Sequence, residues 1–303
     1  MRVQLTFNRA RRDTLTGYLF ILPGILGFLI FVAYPLLSSV YFSMTKWSGF
    51  DKPTYIGLKN FEYMFHTDPT FWSSIRLTIT YAIVSVPLGL VFGLLLAMLL
   101  NKKLPAIRFF RTLFYLPVVI PVVATATLWM YMYQPQYGLA NNILRLFGIE
   151  GVDWLSGDKM ALLSLTLIYL WGVGSNMIIF LSGLQSVPAD VYEAADIDGA
   201  SGWLKFSRIT LPLLTPILFL QLITGLITAF QTFVQPSILA GDPASPNMSL
   251  NLLNLSIYSN AFRGYEFGYA IAQVWILFFI ILIFTIIAFG LSKRFVYYEN
   301  EMK

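Results

Sequence analysis

The sequence has no cysteine, one histidine and few charged residues, and each shortage excludes a class of function. Without cysteine there are no disulfides, thiolate nucleophiles or cysteine metal sites. Because His66 is the single histidine, a histidine metal cluster is excluded as well. Charged residues make up 12% of the 303 residues, about half the usual share in soluble domains. Since 57% of the residues are hydrophobic, the composition indicates an integral membrane protein.

The basic residues do not form a nucleic-acid-binding surface. The net charge is +5, but Lys and Arg lie at the ends of apolar runs rather than along one stripe. The chain also lacks the phosphate-binding pattern G-x-x-x-x-G-K-[ST]. We therefore expect no nucleic-acid partner and no cofactor in this chain, so that any ATP chemistry belongs to a partner.

Six long intervals contain no Asp, Glu, Lys, Arg or His, and each exceeds the roughly 20 residues that a helix needs to cross a bilayer. They predict an all-α integral membrane fold. The predicted spans are 16–42, 77–100, 113–133, 161–184, 211–234 and 267–291. An N-terminal segment (1–15), a connecting loop (185–210) and a C-terminal tail (292–303) lie outside them.

The distribution of basic residues predicts the orientation of these spans. Thirteen Lys and Arg residues lie on one side and seven on the other. Because cytoplasmic segments carry the excess of basic residues, we expect a multi-pass protein of the cell membrane with both termini cytoplasmic. The loop 185–210 then lies on the cytoplasmic side.

That loop carries four acidic residues within nine positions: Asp190, Glu193, Asp196 and Asp198. Pro188 suits a helix start, Gly199 a helix stop, and Ser201 the cap of a second helix. The pattern predicts helix, turn, helix. The acids are typical of a solvated connector. Small residues favour instead a face that another protein's backbone approaches closely: Ala194, Ala195, Gly199 and Ala200.

The stretch EAADIDGASGWLKFSRITLPLLTP, from Glu193 to Pro216, resembles the EAA motif of the permeases of binding-protein-dependent ABC importers. It matches E-A-A, three residues, Gly, nine residues and I-x-L-P at every position. The stretches YLFILPGILGFLIFVAYPLLSSVYFSM, GLKNFEYMF and FRTLFYLPVVIPVVATATLWMYMY and the closing SKRFVYYE are similar to carbohydrate-type permeases, most of all to the larger permease subunit of the maltose transporter.

The resemblance implies the type I ABC importer permease fold and a set of partners. These are a second homologous permease, two ABC ATPase subunits that bind ATP and Mg²⁺, and an extracytoplasmic solute-binding protein. It also implies that the short helix of loop 185–210 docks on an ATPase. The implied coupling residues are Glu193, Ala194, Ala195, Asp198 and Gly199.

The predicted spans hold no Asp, Glu, Lys, Arg or His, which weighs against an ion-coupled carrier and favours a neutral solute. The resemblance implies a sugar or oligosaccharide as substrate; a polyol remains an alternative, and an ion-coupled secondary carrier a weaker one. Each neutral polar residue in the spans could also simply join helices. The resemblance places these residues on the substrate path: Val118, Val122, Tyr169, Gly172, Val173, Asn176, Gly225, Ala229 and Thr232. Gln231 is added because it adjoins Thr232.

Overall fold

A computed structural model describes residues 3–102, 105–241 and 248–295 of the chain. Residues 296–303 of the predicted tail and the first two residues of the N-terminal segment lie outside the described residues. The described chain is mainly helical and divides into two compact units. The first unit contains the chain up to residue 67 together with 259–275. The second contains 68–258 and the chain from 276 onward.

The first unit begins with one long, continuous helix. Its parts are α1 (Val3–Phe28), a π-helical segment (Leu29–Ala33) and α2 (Tyr34–Ser43). After it come β1 (Thr45–Lys46), β2 (Thr54–Tyr55) and α3 (Lys59–His66). The two strands pair antiparallel. A second π-helical segment (Ser259–Arg263) and the first residues of α15 (Phe267–Phe295) complete this unit.

The second unit contains the remaining helices and the rest of α15. In chain order these are α4 (Phe71–Leu100), α5 (Ile107–Val119), α6 (Val122–Met132), α7 (Leu139–Leu146), α8 (Asp158–Trp171), α9 (Gly174–Ser186), α10 (Ala189–Ile197), α11 (Gly202–Lys205), α12 (Leu211–Phe230), α13 (Val234–Leu239) and α14 (Leu253–Tyr258). A π-helical segment (Phe206–Thr210) joins α11 to α12, and a 3₁₀ turn (Met248–Leu250) precedes α14.

Among the residues that the structure describes, four helices are long and apolar enough to cross a membrane, and there are up to six spans if each of two bent pairs counts as one. The four are Asp13–Ser43, Phe71–Leu100, Gly202–Leu239 and Phe267–Lys293. The predicted spans 113–133 and 161–184 are not single straight helices. The first is bent by 96° between α5 and α6, and the second by 47° between α8 and α9.

Proline chemistry explains the sharper bend. Ile120 has an extended backbone, with ψ 129°, because the ring of Pro121 disfavours the helical region for the residue before it. Pro121 also lacks the N–H that would continue the helical hydrogen bonds. The milder bend between α8 and α9 falls at Gly172 and Val173.

Helix α4 is the centre of the second unit, because α8, α9, α12 and α14 all pack against it. One apolar cluster joins α4 to α9 and α12: Leu94, Ala97, Leu100, Met177, Phe180, Leu181, Leu184 and Leu214. A buried hydrogen bond of 2.9 Å between the hydroxyls of Ser85 and Thr166 joins α4 to α8. Hydroxyl pairs of this kind are common between helices in membranes.

The segment that ends at Tyr258 lies between two predicted spans, yet it packs into the second unit. Leu250, Leu252 and Leu253 are almost fully buried. The backbone N–H of Leu253 donates to Thr78 Oγ1 at 2.8 Å, and Asn251 Nδ2 donates to Ser74 Oγ at 3.1 Å. Since Ser74 and Thr78 lie on α4, this segment belongs to the core of the second unit.

Candidate functional site

A cavity of about 380 Å³ lies in the second unit, where the α5–α6 and α8–α9 breaks face α12. We call it the polar cavity. Broken helices are tolerated at membrane depth where they line a cavity, because the freed backbone groups then find other partners. The lining residues are Pro117, Ile120, Val122, Thr125, Ile168, Tyr169, Trp171, Gly172, Val173, Ser175, Asn176, Ile179, Gln221, Thr224, Gly225, Thr228 and Gln235.

The polar groups of this lining are amides and hydroxyls, and in the part of the chain that the structure describes none of its side chains carries a charge. Gln221 Nε2 donates to Asn176 Oδ1 at 3.0 Å. The Tyr169 side chain lines the same cavity. Trp171 adds an aromatic surface. Amides, hydroxyls and an aromatic ring together suit a solute that is rich in hydroxyl groups and has no net charge.

Glycines on α4 allow Tyr169 and Asn176 to approach closely. A Cβ atom on Gly89 would lie 2.5 Å from Tyr169 Cε1, and one on Gly93 would lie 2.8 Å from Asn176 Cβ. On α12, a Cβ on Gly225 would meet Val86 Cγ1 at 3.0 Å. The two polar side chains are therefore held at the cavity by backbone contact with α4.

The structure brings six of the ten predicted substrate-path residues to this cavity: Val122, Tyr169, Gly172, Val173, Asn176 and Gly225. Within the described chain, the other four are not among its lining residues: Val118, Ala229, Gln231 and Thr232. Ala229 is 1% exposed, and the Thr232 hydroxyl donates to Thr228 O at 3.1 Å. Gln231 is exposed, and its carbonyl accepts a hydrogen bond from Asn254 Nδ2.

The predicted path omitted several polar lining residues, most notably Gln221, Thr224 and Thr228. These three residues are spaced at i, i+3 and i+7 and so share one face of α12. A polar stripe on an otherwise apolar helix is the signal that identifies them.

Helix α10 and its end match the predicted helix, turn and helix. Gly199 has φ +73°, and its N–H donates to Asp196 O at 3.1 Å, while Ala200 N–H donates to Ala195 O at 2.9 Å. These two bonds form a Schellman motif. Ser201 Oγ caps α11 by accepting from the N–H of Leu204. The predicted stop and the predicted cap are both confirmed.

The predicted coupling residues differ in exposure. Glu193, Ala194 and Asp198 are exposed, whereas Ala195 is buried at 8% exposure. Ala195 therefore packs inside the chain and does not belong to the bare face that its small size suggested.

The exposed surface of the loop is partly apolar. Ile197 is 88% exposed and Trp203 is 74% exposed. Asp196 forms an ion pair with Lys205, and the Tyr192 hydroxyl is hydrogen-bonded to Thr210 Oγ1 at 2.8 Å. These two contacts hold α10 against the beginning of the next long helix. Five exposed residues of this loop, three of which are predicted coupling residues, are called the coupling surface below: Glu193, Ala194, Ile197, Asp198 and Trp203.

A family model for the inner membrane components of binding-protein-dependent transport systems matches residues 89–297. The chain belongs to this family. The permease is 39% identical over 293 residues to the probable ABC transporter permease protein YesP of Bacillus subtilis, covering 96% of this chain and 94% of that protein. It is 34% identical over 287 residues to the trehalose/maltose transport system permease protein MalF of Thermococcus litoralis, covering 93% and 95%.

Solved structures agree with this assignment. The permease superposes with a TM-score of 0.81 and 26% identity on a chain of a bacterial ABC transporter involved in the import of the acidic polysaccharide alginate, covering 95% of this chain and 98% of that one. A second structure of an alginate ABC transporter, in complex with an alginate pentasaccharide-bound periplasmic protein, gives a TM-score of 0.82 at 26% identity, covering 95% and 97%. The permease therefore has the type I ABC importer permease fold that its sequence predicted.

Proposed function

We propose that this permease is one of the two membrane subunits of an ABC importer for a neutral sugar or oligosaccharide, and that the polar cavity is its share of the translocation path. The observation that carries the proposal is the uncharged lining of amides, hydroxyls and one tryptophan at two helix breaks. The names of relatives support a carbohydrate, since one is a trehalose/maltose permease and another a lactose permease. A polyol has the same hydroxyl chemistry and remains the second candidate.

The partners follow from the same proposal. A second homologous permease completes the path, and an extracytoplasmic solute-binding protein delivers the sugar. Two ABC ATPase subunits bind ATP and Mg²⁺ and dock on the coupling surface, and this chain is not itself an enzyme. Both termini and the coupling surface lie on the cytoplasmic side of the membrane. ATP binding then drives the path between two states to which the sugar binds with different affinity.

The test is ATP hydrolysis by the assembled complex in proteoliposomes, with its binding protein, across a panel of sugars. The panel contains maltose, trehalose and lactose as neutral sugars, sorbitol as a polyol and a galacturonate disaccharide as an acidic sugar. We expect stimulation by a neutral sugar. Stimulation by the acidic disaccharide alone would contradict the assignment of a neutral substrate. Uptake that persists without ATPase subunits and stops when the ion gradient is removed would contradict the assignment as an ABC importer.

A further inference from the structure

We infer that Gln221 is a specificity-determining positioning residue, which acts on the solute through the side chain of Asn176. The inference rests on the proposed function and adds to it the group that decides which hydroxylated solutes are accepted. The EAA motif does not include this residue, because the pattern ends at Pro212, nine residues earlier.

The first step is the fixed position of Asn176. The close approach of Gly93 to Asn176 Cβ holds the root of this side chain against α4. Its backbone belongs to the first turn of α9, directly after the break at Gly172 and Val173. The remaining freedom of Asn176 is therefore mainly the rotation of its terminal amide.

The second step is the fixed orientation of that amide. Gln221 is 8% exposed, and its Nε2 donates to Asn176 Oδ1 at 3.0 Å. Because an amide has its acceptor at one end and its donors at the other, this bond turns the carbonyl of Asn176 toward α12. Tyr169 lines the same cavity.

The third step is the consequence for the solute. Asn176 presents its donor end to the cavity as long as Gln221 holds its acceptor end. A sugar hydroxyl at that point must then act as an acceptor, and sugars that place a hydroxyl elsewhere lose the bond. If Gln221 is removed, the amide of Asn176 rotates to serve either role, and discrimination between related sugars falls.

The experiment measures sugar binding to the assembled complex in nanodiscs, without binding protein, by titration with maltose, trehalose and lactose. We expect Gln221→Leu to change the ratio of the dissociation constants between these sugars roughly three- to tenfold, the effect of about one hydrogen bond. The concentration of loaded binding protein that half-saturates ATP hydrolysis should stay unchanged. A variant that is merely misfolded would weaken all sugars alike and also reduce ATP hydrolysis.

A double-mutant cycle separates positioning from direct contact. In an Asn176→Leu background, Gln221→Leu should produce no further change in the ratio, because the group it positions is absent. Ser85→Ala is the matched control, since it also removes a buried hydrogen bond between two helices of the second unit, at a residue that does not line the cavity. It should leave the ratio unchanged.

Three results would overturn the inference. They are an unchanged ratio in Gln221→Leu, an equal change in Ser85→Ala, and an effect of Gln221→Leu that persists without Asn176. In each case a wild-type complex that is stimulated by a neutral sugar would still support the proposed function. If no sugar of the panel stimulates ATP hydrolysis by the wild-type complex, the proposed function and the inference about Gln221 fail together.

Discussion

At the scale of single residues, Gly89 is the position where the smallest change should have the largest effect. Its Cβ would lie 2.5 Å from a ring carbon of Tyr169, too close for any real side chain. We expect Gly89→Ala to push Tyr169 into the polar cavity or to separate α4 from α8, at a cost of about 1–3 kcal/mol. Sugar uptake by the complex, together with thermal unfolding in detergent, measures this effect.

Gly290→Ala is the matched control for Gly89→Ala. Gly290 also lies within a long apolar helix, and no atom lies within 4 Å of the position of its added Cβ. Since alanine is a better helix former than glycine by about 1 kcal/mol, this variant should be neutral or more stable. Equal behaviour of the two variants would contradict the close packing of Tyr169 on Gly89. Restored thermal stability in Gly89→Ala with Tyr169→Leu would support it.

The residues at the cavity also show what the sequence could predict. Tyr169 and Asn176 follow from the resemblance, and the structure places both in the lining. Ala229 and Thr232 follow from the same resemblance but lie outside the lining. Ala229 is 1% exposed, and Thr232 lies beyond Phe230, the last residue of α12. A linear pattern specifies neither which side of a helix is covered nor where the helix ends.

At the scale of elements, the end of α10 depends on one dihedral angle. Gly199 has φ +73°, whereas proline requires a φ near −65° and lacks the N–H that bonds to Asp196 O. We expect Gly199→Pro to disrupt the Schellman motif at a cost of about 3 kcal/mol or more. In the assembled complex, ATP hydrolysis should continue while sugar uptake is lost.

Gly202→Pro offers a matched control three residues away. Gly202 is the first residue of α11, where proline is well tolerated, and Ser201 before it is already extended, with ψ 158°. This variant should therefore transport normally.

Glu193→Ala keeps the fold but removes an exposed charge of the coupling surface. Like Gly199→Pro, it should uncouple ATP hydrolysis from sugar uptake. Normal uptake in Glu193→Ala and in Gly199→Pro would contradict the coupling role.

The segment between α6 and α8 is organised by one buried side chain, Asn141, which is 1% exposed. Its Nδ2 donates to the carbonyls of Pro135 and Val152, and its Oδ1 accepts from the N–H of Val152 and from Trp154 Nε1. We expect Asn141→Leu to destabilise the segment by about 2–4 kcal/mol. Hydrogen exchange of the amides in residues 135–157 measures the loss.

The neighbouring residue provides the comparison for this element. Asn142 is exposed, and its Nδ2 donates to Tyr137 O at 3.3 Å. Asn142→Leu should leave the exchange rates nearly unchanged. If both variants exchanged at the wild-type rate, Asn141 would not be the residue that orders this segment.

The sequence predicted which stretches are helical better than it predicted where they bend. Pro121 allows the chain to break at this point, and the packing of α5 against α9 and of α6 against α13 accompanies the bend of 96°. The burial of Leu250 to Leu253 is equally hidden, because a polar sequence around an apolar run resembles an interfacial loop. The partners of that run, Ser74 and Thr78, lie far away along the chain.

At the scale of the whole molecule, the absence of cysteine makes the proposed orientation directly testable. Ile197 is 88% exposed and Leu146 is 84% exposed, so a single cysteine at either position should react with a thiol reagent. We expect a membrane-impermeant maleimide to label Leu146→Cys in intact cells or spheroplasts, and Ile197→Cys only after permeabilisation. The unaltered chain is the control, because it has no thiol to label.

The reverse labelling pattern would contradict the cytoplasmic position of the coupling surface. The basic residues of the sequence predict this orientation from Lys and Arg alone. The fold itself has no direction relative to a membrane, so the charge distribution and the labelling result are independent sources of information on the same question.

The exposed Ile197 and Trp203 have a consequence for biogenesis. In the proposed complex an ATPase covers them; before assembly they would present to the cytoplasm the kind of apolar surface that quality-control proteases recognise in unassembled subunits. A cell that makes this chain in excess should therefore degrade the surplus, and its lifetime in a pulse-chase experiment should lengthen when the ATPase is co-expressed. The same two side chains that serve transport would then also keep the subunits of the complex in proportion.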